Sequence, residues 1–453
     1  MIVPRSVFRQ YDVRGLVGAE LTPEFAVALG RAYGTLAWER LGRVPVLAVG
    51  RDNRPSGATL AASVRTGIVA TGATAIDVGE VPTPALYFAV HALGADGGLQ
   101  VTGSHNPPEF NGFKMVLAGE ALHGGDIQRL FEIISREQWR LGQGRESADG
   151  SILAKYRDAI VAHHRLRRPV RVVVDCGNGV GSLIAVSTLE GLGAEVRPLF
   201  CESDGTFPNH HPDPTVLENL EDLRLAVRRS GAELGIAFDG DADRIGVVDE
   251  DGGVIYGDQL LVIYGRDAVR RFGRGAPVIF DVKCSELLPA ALQAAGARPE
   301  MWKTGHSLIK ARMKELHAPL AGEMSGHMFF GGDWYGFDDA LFGAARLLEI
   351  VSTAPGGIAR LLADLPKTFT TPEIRVDCAE DRKFAIVEQA ARHFAARYPV
   401  NTIDGVRMTF PNGWGLVRAS NTQPILVLRF EATDQASLES YQAEVMDWLR
   451  AQA

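Results

Sequence analysis

The chain has 453 residues, which is too long for one hydrophobic core and suggests about three domains. A hydrophobic content of 46% and a charged content of 23% are ordinary for a globular protein, and the formal net charge of −8 argues against a broad nucleic-acid-binding surface. The four cysteines form no C-x-x-C pair, no run of residues is long and apolar enough to span a membrane, and the amino terminus has no cleavage site. We therefore expect a reduced, cytoplasmic protein with no nucleic-acid or membrane partner. A monomer is the working expectation for its oligomeric state.

Short apolar strands alternate with amphipathic helices over the first three-quarters of the chain, which is the pattern of α/β layers. The first round predicts helices at 56–71 and 84–93 and strands at 44–50, 74–78 and 97–101. The second predicts a helix that ends at residue 192, a helix at 217–229, and strands at 171–175, 195–199 and 234–238. The third predicts helices at 259–271, 285–295 and 307–315 and strands at 278–282 and 319–321. The three rounds look like diverged copies of one α/β unit.

A polar loop ends one strand of each round, and a second β-like stretch follows the loop, at 112–116, 245–248 and 328–330. Ligands bind at the carboxyl ends of the strands in open α/β sheets. We therefore expect these three loops to line a ligand site.

The pattern changes from about Thr370, where predicted strands follow one another directly. Helices are predicted at 382–396 and 436–450, and strands at 373–376, 406–410, 415–417 and 425–431. This order predicts a smaller α+β domain with antiparallel pairing. The expected domains are residues 1–150, 151–253, 254–367 and 368–453.

The first polar loop, residues 102–108 (TGSHNPP), places one hydroxyl between a glycine and a histidine. Gly103 lets the backbone bend, and the Asn-Pro-Pro sequence sets the exit from the turn. Ser104 is therefore predicted to stand exposed at the loop tip as a nucleophile. The alternative for this loop alone is an ordinary turn.

The second loop carries Asp239, Asp241 and Asp243 at alternate positions after an apolar strand. In an extended segment their carboxylates would point the same way and converge on one cation, and hard oxygen ligands suit Mg²⁺. An EF-hand is a rival interpretation, but Arg244 stands where that loop needs glycine, and β-like sequence flanks it. A solvated acidic turn is the plainer alternative, although it leaves three carboxylates to repel one another.

The third loop carries Glu323, Ser325 and His327, again at alternate positions. On one face of an extended stretch, an acceptor, a hydroxyl and an imidazole would suit the vicinal hydroxyls of a sugar. The alternative is that His327 packs in the core and Ser325 turns the chain.

A fourth loop, residues 418–424 (RASNTQP), lies between two predicted strands of the last domain. Arg418 can bind phosphate through two hydrogen bonds, and Ser420, Asn421 and Thr422 can complete a cradle. A hydrophilic hairpin is the alternative.

Taken together and in this order, the loops resemble the α-D-phosphohexomutase family. The resemblance covers nearly the whole chain and is carried by residues 11–15, 102–114, 238–244, 303–307, 322–327, 336–339 and 413–429. It implies an α/β fold in which three related mixed-sheet domains and a C-terminal α+β domain surround a central cleft. Ala242 departs from the family's acidic loop, which often has glycine there. Alanine is tolerated unless this position needs a positive φ.

The resemblance also implies a role for each motif. Ser104 is similar to the serine that carries the phosphoryl group, and it would bind Mg²⁺ together with Asp239, Asp241 and Asp243. The basic groups around the reacting centre are implied to be Arg14, Lys114, Arg244, Lys283 and His306. The substrate contacts are implied to be Tyr11, Glu323, Ser325, His327, Arg418, Ser420, Asn421 and Thr422.

The implied activity interconverts hexose 1-phosphates and hexose 6-phosphates, and the resemblance is strongest to bacterial members that act on both mannose and glucose. Mg²⁺ is the implied cofactor, and glucose 1,6-bisphosphate or mannose 1,6-bisphosphate the implied activator. The phosphoserine would react through a 1,6-bisphosphorylated sugar, with His306, Lys283 or Lys114 as the base for the attacking hydroxyl.

Three rival activities account for these residues less well. A haloacid-dehalogenase-type enzyme would phosphorylate Asp239 and leave the Ser104 loop unexplained. A phosphoglucosamine mutase commonly has Gln where Met324 stands. A non-catalytic sugar-phosphate sensor would not need an intact nucleophile and intact metal carboxylates.

Overall fold

In a computed structural model, which describes residues 4–354, 356–420 and 424–452, four β-sheets follow one another along the chain. The first region contains α1 Pro23–Leu41, α2 Gly57–Val69, α3 Thr83–Ala92, α4 Gly125–Ser135, α5 Ile152–His163, β1 Val13–Leu16, β2 Val46–Arg51, β3 Thr74–Glu80, β4 Gly97–Val101, β5 Phe110–Leu117, β6 Glu120–Ala121 and β7 Arg145–Ala148. Its sheet has the order β1-β5-β4-β2-β3-β7, with β6 paired to β5.

The second and third regions repeat this layering with shorter sheets. The second contains α6 Ala185–Gly191, α7 Glu221–Ser230, β8 Arg171–Asp175, β9 Glu195–Leu199, β10 Leu234–Phe238, β11 Ile245–Asp249 and β12 Val254–Ile255, in the order β12-β11-β10-β8-β9. The third contains α8 Gly257–Phe272, α9 Leu287–Ala295, α10 His306–Leu316, α11 Ala340–Thr353, β13 Pro277–Asp281, β14 Arg298–Trp302, β15 Leu320–Gly322 and β16 Met328–Phe330, in the order β14-β13-β15-β16. Short 3₁₀ helices lie at Arg5–Val7, Val180–Leu183, Leu217–Leu220 and Ala359–Leu362.

The fourth region is antiparallel throughout its described sheet. It contains α12 Lys383–Ala395, α13 Gln435–Arg450, β17 Phe369–Thr370, β18 Ile374–Asp377, β19 Val400–Asn401, β20 Val406–Phe410, β21 Gly413–Ala419 and β22 Ile425–Ala432. The strand order is β17-β22-β21-β20-β19, and β18 pairs with the other half of the β22 edge.

The same strand–loop–strand unit recurs in the first three sheets. In each, a strand with a parallel neighbour (β4, β10 or β15) runs into a loop and returns as an antiparallel strand (β5, β11 or β16). The predicted fold of three related mixed sheets followed by an α+β sheet is therefore confirmed. The domain limits drawn from the sequence stay a prediction.

Helix α1 is an element that the residue pattern does not single out, because buried residues lie on most of its surface. It packs on α2 through backbone. A Cβ added at Gly30 would lie 2.2 Å from the Val64 carbonyl oxygen, and one added at Gly67 would lie 2.2 Å from that of Val27. Although α1 has 19 residues, neither it nor any other helix of the described ranges has both the length and the apolar character needed to cross a membrane.

Candidate active site

The Ser104 loop joins β4 to β5 and differs from its prediction in one respect. Ser104 is only 2% exposed, so the expected exposed loop tip is wrong. It adopts a φ of +48°, and its hydroxyl donates to Asp239 Oδ2 at 2.9 Å. The serine is buried because the acidic loop of the second sheet packs directly over it.

Arg54 holds the Ser104 loop in place, and it is not among the residues predicted from the sequence. Its two terminal nitrogens donate to the carbonyl oxygens of Ser104 at 2.7 Å, Asn106 at 2.6 Å, Pro107 at 2.6 Å and Phe110 at 3.0 Å. The side chain is fully buried. One guanidinium therefore sets the path of most of the loop.

Asp52 completes this support. Arg54 Nε donates to Asp52 Oδ2 at 3.2 Å, and the same oxygen accepts the backbone N–H of Gly103 at 3.2 Å. A sequence signal for the pair existed, because residues 51–54 (RDNR) begin at the last residue of the apolar strand β2, at the same sheet edge as the Ser104 loop. A charged run at that edge marks a residue that faces the site loops.

The acidic loop brings its three carboxylates together. One oxygen from each of Asp239, Asp241 and Asp243 lies within 4.8 Å of the others, and all three residues are fully buried. The predicted reason is wrong, because the segment is a tight turn closed by a hydrogen bond from Ala242 N to the Asp239 carbonyl at 3.0 Å. The EF-hand alternative also fails, since antiparallel strands β10 and β11 flank the loop.

Ala242 occupies the left-handed region at φ +58°. Alanine was expected to be tolerated here unless this position needs a positive φ, and the structure shows that the turn does need one. A left-handed L-residue other than glycine costs about 1–2 kcal/mol. The chain bears this local strain at the turn that gathers the carboxylates.

Lys114, on β5, neutralises part of the acidic loop. Its Nζ donates to Asp241 Oδ2 at 2.8 Å and also to Asp243 Oδ2. Burial alone would lower the pKa of Lys114, but Asp241 and Asp243 raise it well above its ordinary value. Lys114 is therefore a fixed cation between the two carboxylates.

The donor set fits a divalent cation. Burial and the charges of Asp241 and Asp243 raise the pKa of Asp239 well above its ordinary value, so these carboxylates favour added positive charge. Asp241 Oδ1 is buried and has no hydrogen-bond partner among the described residues. Mg²⁺ prefers hard oxygen ligands, which the side chains here supply: Ser104, Asp239, Asp241 and Asp243. We call these four residues and Lys114 the transfer centre.

The third loop, residues 323–327, is named the sugar loop after the contacts that the resemblance implies, and it closes onto the second, the acidic loop at residues 239–243. It is a tight hairpin turn rather than the predicted extended stretch, and Glu323 N donates to the His327 carbonyl at 2.9 Å. His327 Nδ1 lies 2.8 Å from Glu323 Oε2, and Nε2 lies 3.1 Å from Asp243 Oδ1. Burial alone would lower the pKa of His327, but Asp243 and hydrogen bonds to both carboxylates raise it to about 9. The charged ring thus links the two loops.

Two more of the predicted basic groups reach the site loops, Arg244 at this junction and Arg14 at the Ser104 loop. Arg244 Nε contacts His327 Nε2 at 3.3 Å, and because the protonated ring donates to Asp243, this contact is not a hydrogen bond. Arg14 reaches the Ser104 loop from β1 and donates to Asn106 Oδ1 and to Asp12 Oδ2, the latter at 2.6 Å.

His306 begins α10 beside the sugar loop. Gly305 N donates to Glu323 Oε1 at 2.6 Å, and Tyr11 OH donates to the Thr304 carbonyl at 3.0 Å. The rings of Tyr11 and His306 meet edge to face at 5.9 Å. Burial, followed by the charges of Lys310 and Lys114, holds the pKa of His306 well below its ordinary value, so the ring is neutral.

Apart from Ser325, whose hydroxyl lies 3.3 Å from His327 Nδ1, the remaining predicted residues form a second group with Asp404, which was not predicted. We call this group the distal cluster: Lys283, Asp404, Arg418 and Ser420. Arg418 donates to Asp404 Oδ2 from Nε and NH2, each at 3.2 Å, and Lys283 Nζ donates to Glu373 Oε2 at 3.3 Å. Arg418 and Ser420 are each 6% exposed. Asn421 and Thr422 lie outside the described residues.

Asp281 and Thr304 connect the two groups. Asp281 accepts Met324 N of the sugar loop at 3.0 Å and Thr304 Oγ1 at 2.9 Å, and Thr304 N donates to Asp404 Oδ2 at 3.0 Å. The sugar loop therefore lies between the transfer centre and the distal cluster.

Models of known protein families match the chain in four consecutive segments. Residues 5–141, 154–253 and 256–369 match α/β/α domains I, II and III of phosphoglucomutase/phosphomannomutase. Residues 373–447 match the C-terminal domain of the same enzymes.

Relatives match over almost the full length. The chain is 50% identical to a phosphomannomutase/phosphoglucomutase of Pseudomonas aeruginosa, over 99% of this chain and 96% of that one. It is 46% identical to a phosphoglucomutase of Neisseria gonorrhoeae, over 97% and 96% of the two chains. A solved phosphoglucomutase/phosphomannomutase family protein from Burkholderia thailandensis superposes with a TM-score of 0.92 at 42% identity, over 99% of this chain and 98% of that one. From its four domains and its full-length relatives, the chain belongs to the phosphoglucomutase/phosphomannomutase family.

Proposed function

We propose that this protein interconverts the 1-phosphates and 6-phosphates of glucose and mannose through a phosphoserine at Ser104. The observation that carries the proposal is the 2.9 Å hydrogen bond from the Ser104 hydroxyl to Asp239, which joins the Ser104 loop of the first sheet to the acidic loop of the second. The curated relatives are named for glucose and mannose phosphates, so the phosphoglucosamine alternative is not favoured.

Two phosphoryl transfers make up the proposed reaction. The free hydroxyl of the bound hexose phosphate attacks phosphorus, the bond from phosphorus to Ser104 Oγ breaks, and a 1,6-bisphosphorylated sugar forms. That intermediate turns over in the cleft, and Ser104 Oγ takes back the phosphoryl group from the other end. Either 1,6-bisphosphate, added as activator, would load an unphosphorylated Ser104 by the second step.

The transfer centre would neutralise the charge on the moving phosphoryl group. Ser104, Asp239, Asp241 and Asp243 would hold Mg²⁺, which when bound supplies positive charge to the phosphoryl oxygens. Lys114 and Arg244 are the protein's own cations at this place, with Arg14 behind the Ser104 loop. Such transfers need positioning and fixed charge rather than covalent steps by further residues.

The geometry favours His306 among the three candidate bases. Lys114 is paired with two carboxylates, and the pKa of Lys283, which burial alone would lower, is raised by Glu373 and Asp281, so both hold their protons. His306 is neutral, and its Nδ1 lies 3.5 Å from Asp338 Oδ2 with no hydrogen bond to any described residue. The negative charge of a bound substrate would raise its proton affinity.

The sugar loop and the distal cluster would position the substrate. Glu323 and Ser325 would bind sugar hydroxyls, and His327 would orient Glu323. Tyr11 would contact the substrate from its place beside His306. The non-reacting phosphate would bind the distal cluster through Arg418, with Ser420, Asn421, Thr422 and Lys283. This cradle must accept a phosphate from either end of the sugar, so we infer that domain 368–453 closes on substrate as a lid.

Side-by-side turnover tests this function. With catalytic bisphosphate and Mg²⁺, kcat/KM should be higher for glucose 1-phosphate and mannose 1-phosphate than for glucosamine 1-phosphate, and exhaustive chelation should stop turnover reversibly. Glucosamine 1-phosphate as the best substrate would overturn the assignment, and full activity in chelator would overturn the metal site.

A further inference from the structure

Two cysteines meet at the ends of neighbouring strands in the second sheet. Cys176 directly follows β8, Cys201 lies two residues after β9, and these parallel strands pair Asp175 with Leu199. The two Sγ atoms lie 2.9 Å apart, and both thiols are free. Because the chain separates them by a helix and a strand, the sequence spacing gave no sign of this contact.

The pair is asymmetric. Cys176 is fully buried, whereas Cys201 is part-exposed. Cys201 Sγ also lies 3.3 Å from the carbonyl oxygens of Val174 and Leu199, which fixes its position. The Cys176 thiol donates to Cys201 and lowers its pKa, while that of Cys176 is raised well above its ordinary value by the same hydrogen bond and by burial. Cys201 is thus the thiol that reacts first.

We propose that Cys176 and Cys201 form an oxidisable dithiol site, which a hydroperoxide converts to an intramolecular disulfide. The Cys201 thiolate attacks one peroxide oxygen, the O–O bond breaks, and a sulfenic acid and a water (or alcohol) result. Cys176 Sγ then attacks the Cys201 sulfur, its proton leaves with the hydroxyl as a second water, and the S–S bond forms. Two thiols lose two electrons, which the peroxide accepts.

The disulfide would tie together the backbone that supports the acidic loop. The Cys176 carbonyl accepts Gly179 N at 2.8 Å, and Val180 N donates to the Gly240 carbonyl at 3.0 Å, within the acidic loop. The sulfurs need only approach from 2.9 Å to a bond of about 2.0 Å, so the linkage forms with little displacement. We expect the oxidised protein to have a higher Tm than the reduced one.

Peroxide treatment of the full-length protein tests the site. After hydrogen peroxide at low protein concentration and alkylation of the remaining thiols, peptide mass spectrometry should find Cys176 linked to Cys201, lighter by two hydrogen atoms and reversed by dithiothreitol. Cys378 is also part-exposed but has no cysteine partner among the described residues. It should remain a free thiol that is then alkylated, and it serves as the matched control. A Cys201 that proceeds to sulfinic acid without the linkage, or that links only between two chains, would overturn the proposal.

Two variants separate the steps. Cys176→Ser should leave a sulfenic acid on Cys201 that dimedone traps, and Cys201→Ser should leave Cys176 reduced. Oxidation of Cys176 in the second variant as fast as in the wild type would contradict the order of attack. An unchanged Tm in the linked wild type would contradict the support of the acidic loop. Neither result depends on mutase activity.

Discussion

The transfer centre and the distal cluster are both polar, but they are built in different ways. In the transfer centre, side chains from two sheets bind one another directly, and Ser104, Lys114 and the three carboxylates are all at most 4% exposed. In the distal cluster, the partner of Arg418 among the described residues is the carboxylate of Asp404. The first group is held together by contacts among its own residues, whereas the second is held by contacts that a phosphate can replace.

The difference suits the roles proposed for the two groups. Charge that develops during phosphoryl transfer is stabilised best by donors and cations already in place, because moving them would cost reorganisation. A cradle for the other phosphate must form and release in every cycle, so it needs exchangeable contacts. Variants at the two places should therefore separate turnover from binding.

Ser104→Ala should have the largest effect. It removes the proposed phosphoryl carrier, and we expect kcat to fall by at least about a thousandfold, while Tm changes little because the hydroxyl contacts to Asp239 and His105 are lost but no apolar packing is. Steady-state kinetics and intact-protein mass spectrometry check this, the latter by the absence of an acid-stable phosphoryl group. An acid-labile phosphoryl group on Asp239 would instead support the rejected dehalogenase-type chemistry.

Arg54→Lys should damage the transfer centre without touching substrate. Lysine cannot span the four loop carbonyls that Arg54 binds, and a 1 Å shift of a reacting atom costs roughly a hundredfold, so kcat should fall by about that factor with KM little changed. Arg51→Lys is the matched control, since Arg51 pairs with Glu80 at 3.5 Å on the surface. An equal loss of kcat in both variants would show that Arg54 does not position the loop.

Arg418→Ala should act on binding. Loss of a charge-assisted phosphate contact costs about 1.5–3 kcal/mol, so KM should rise roughly 10- to 100-fold for glucose and mannose phosphates alike. Loading of Ser104 by added bisphosphate should suffer less than multiple turnover. Arg397→Ala, which removes a surface pair with Glu444, is the control.

The proposed lid motion extends this prediction to shape. Saturating substrate should reduce the radius of gyration of the wild type in small-angle scattering, and Arg418→Ala should lessen the change. Identical dimensions with and without substrate would exclude the lid and leave the cradle in place.

His327→Gln should change the pH dependence of stability in the metal-free protein. The folded-state pKa of about 9 exceeds the unfolded value, so the stabilisation by the imidazolium is fully present below about pH 6.5 and is lost as the pH rises through about 9. It amounts to roughly 3 kcal/mol at most. Urea unfolding at pH 6, 8 and 10 should show wild type and variant converging at high pH, with His393→Gln, exposed on α12, as the control.

Ala242→Gly should have the smallest effect. Glycine relieves about 1–2 kcal/mol of left-handed strain, but it loses a buried methyl group worth about 0.8 kcal/mol and is more flexible when unfolded. The stability should therefore change by less than about 1 kcal/mol. In Ala242→Val the branched side chain would lie beside Gly181, so the free energy of unfolding should fall by more than about 2 kcal/mol. Thermal melts of the wild type and both variants check this. Equal melting temperatures for all three proteins would contradict the strained turn.

Local patterns in the sequence were enough to predict the fold class and the loops that form the candidate active site. Alternation of apolar strands with helices is a local pattern, and so is a polar loop at the end of a strand, so residues such as Ser104, Asp239 and Glu323 could be found without coordinates. Their order along the chain was enough to indicate the family.

How these loops meet depends on contacts between distant parts of the chain, which the folded structure reveals. Three features join residues from different strands, and no local period in the sequence encodes such contacts. They are the burial of Ser104 under Asp239, the hydrogen bonds from Arg54 to the Ser104 loop, and the contact of Cys176 with Cys201. The positive φ of Ala242 arises for a similar reason, because the turn must bring three repelling carboxylates around one point. Local propensity cannot predict a conformation that the surrounding sheets impose against it.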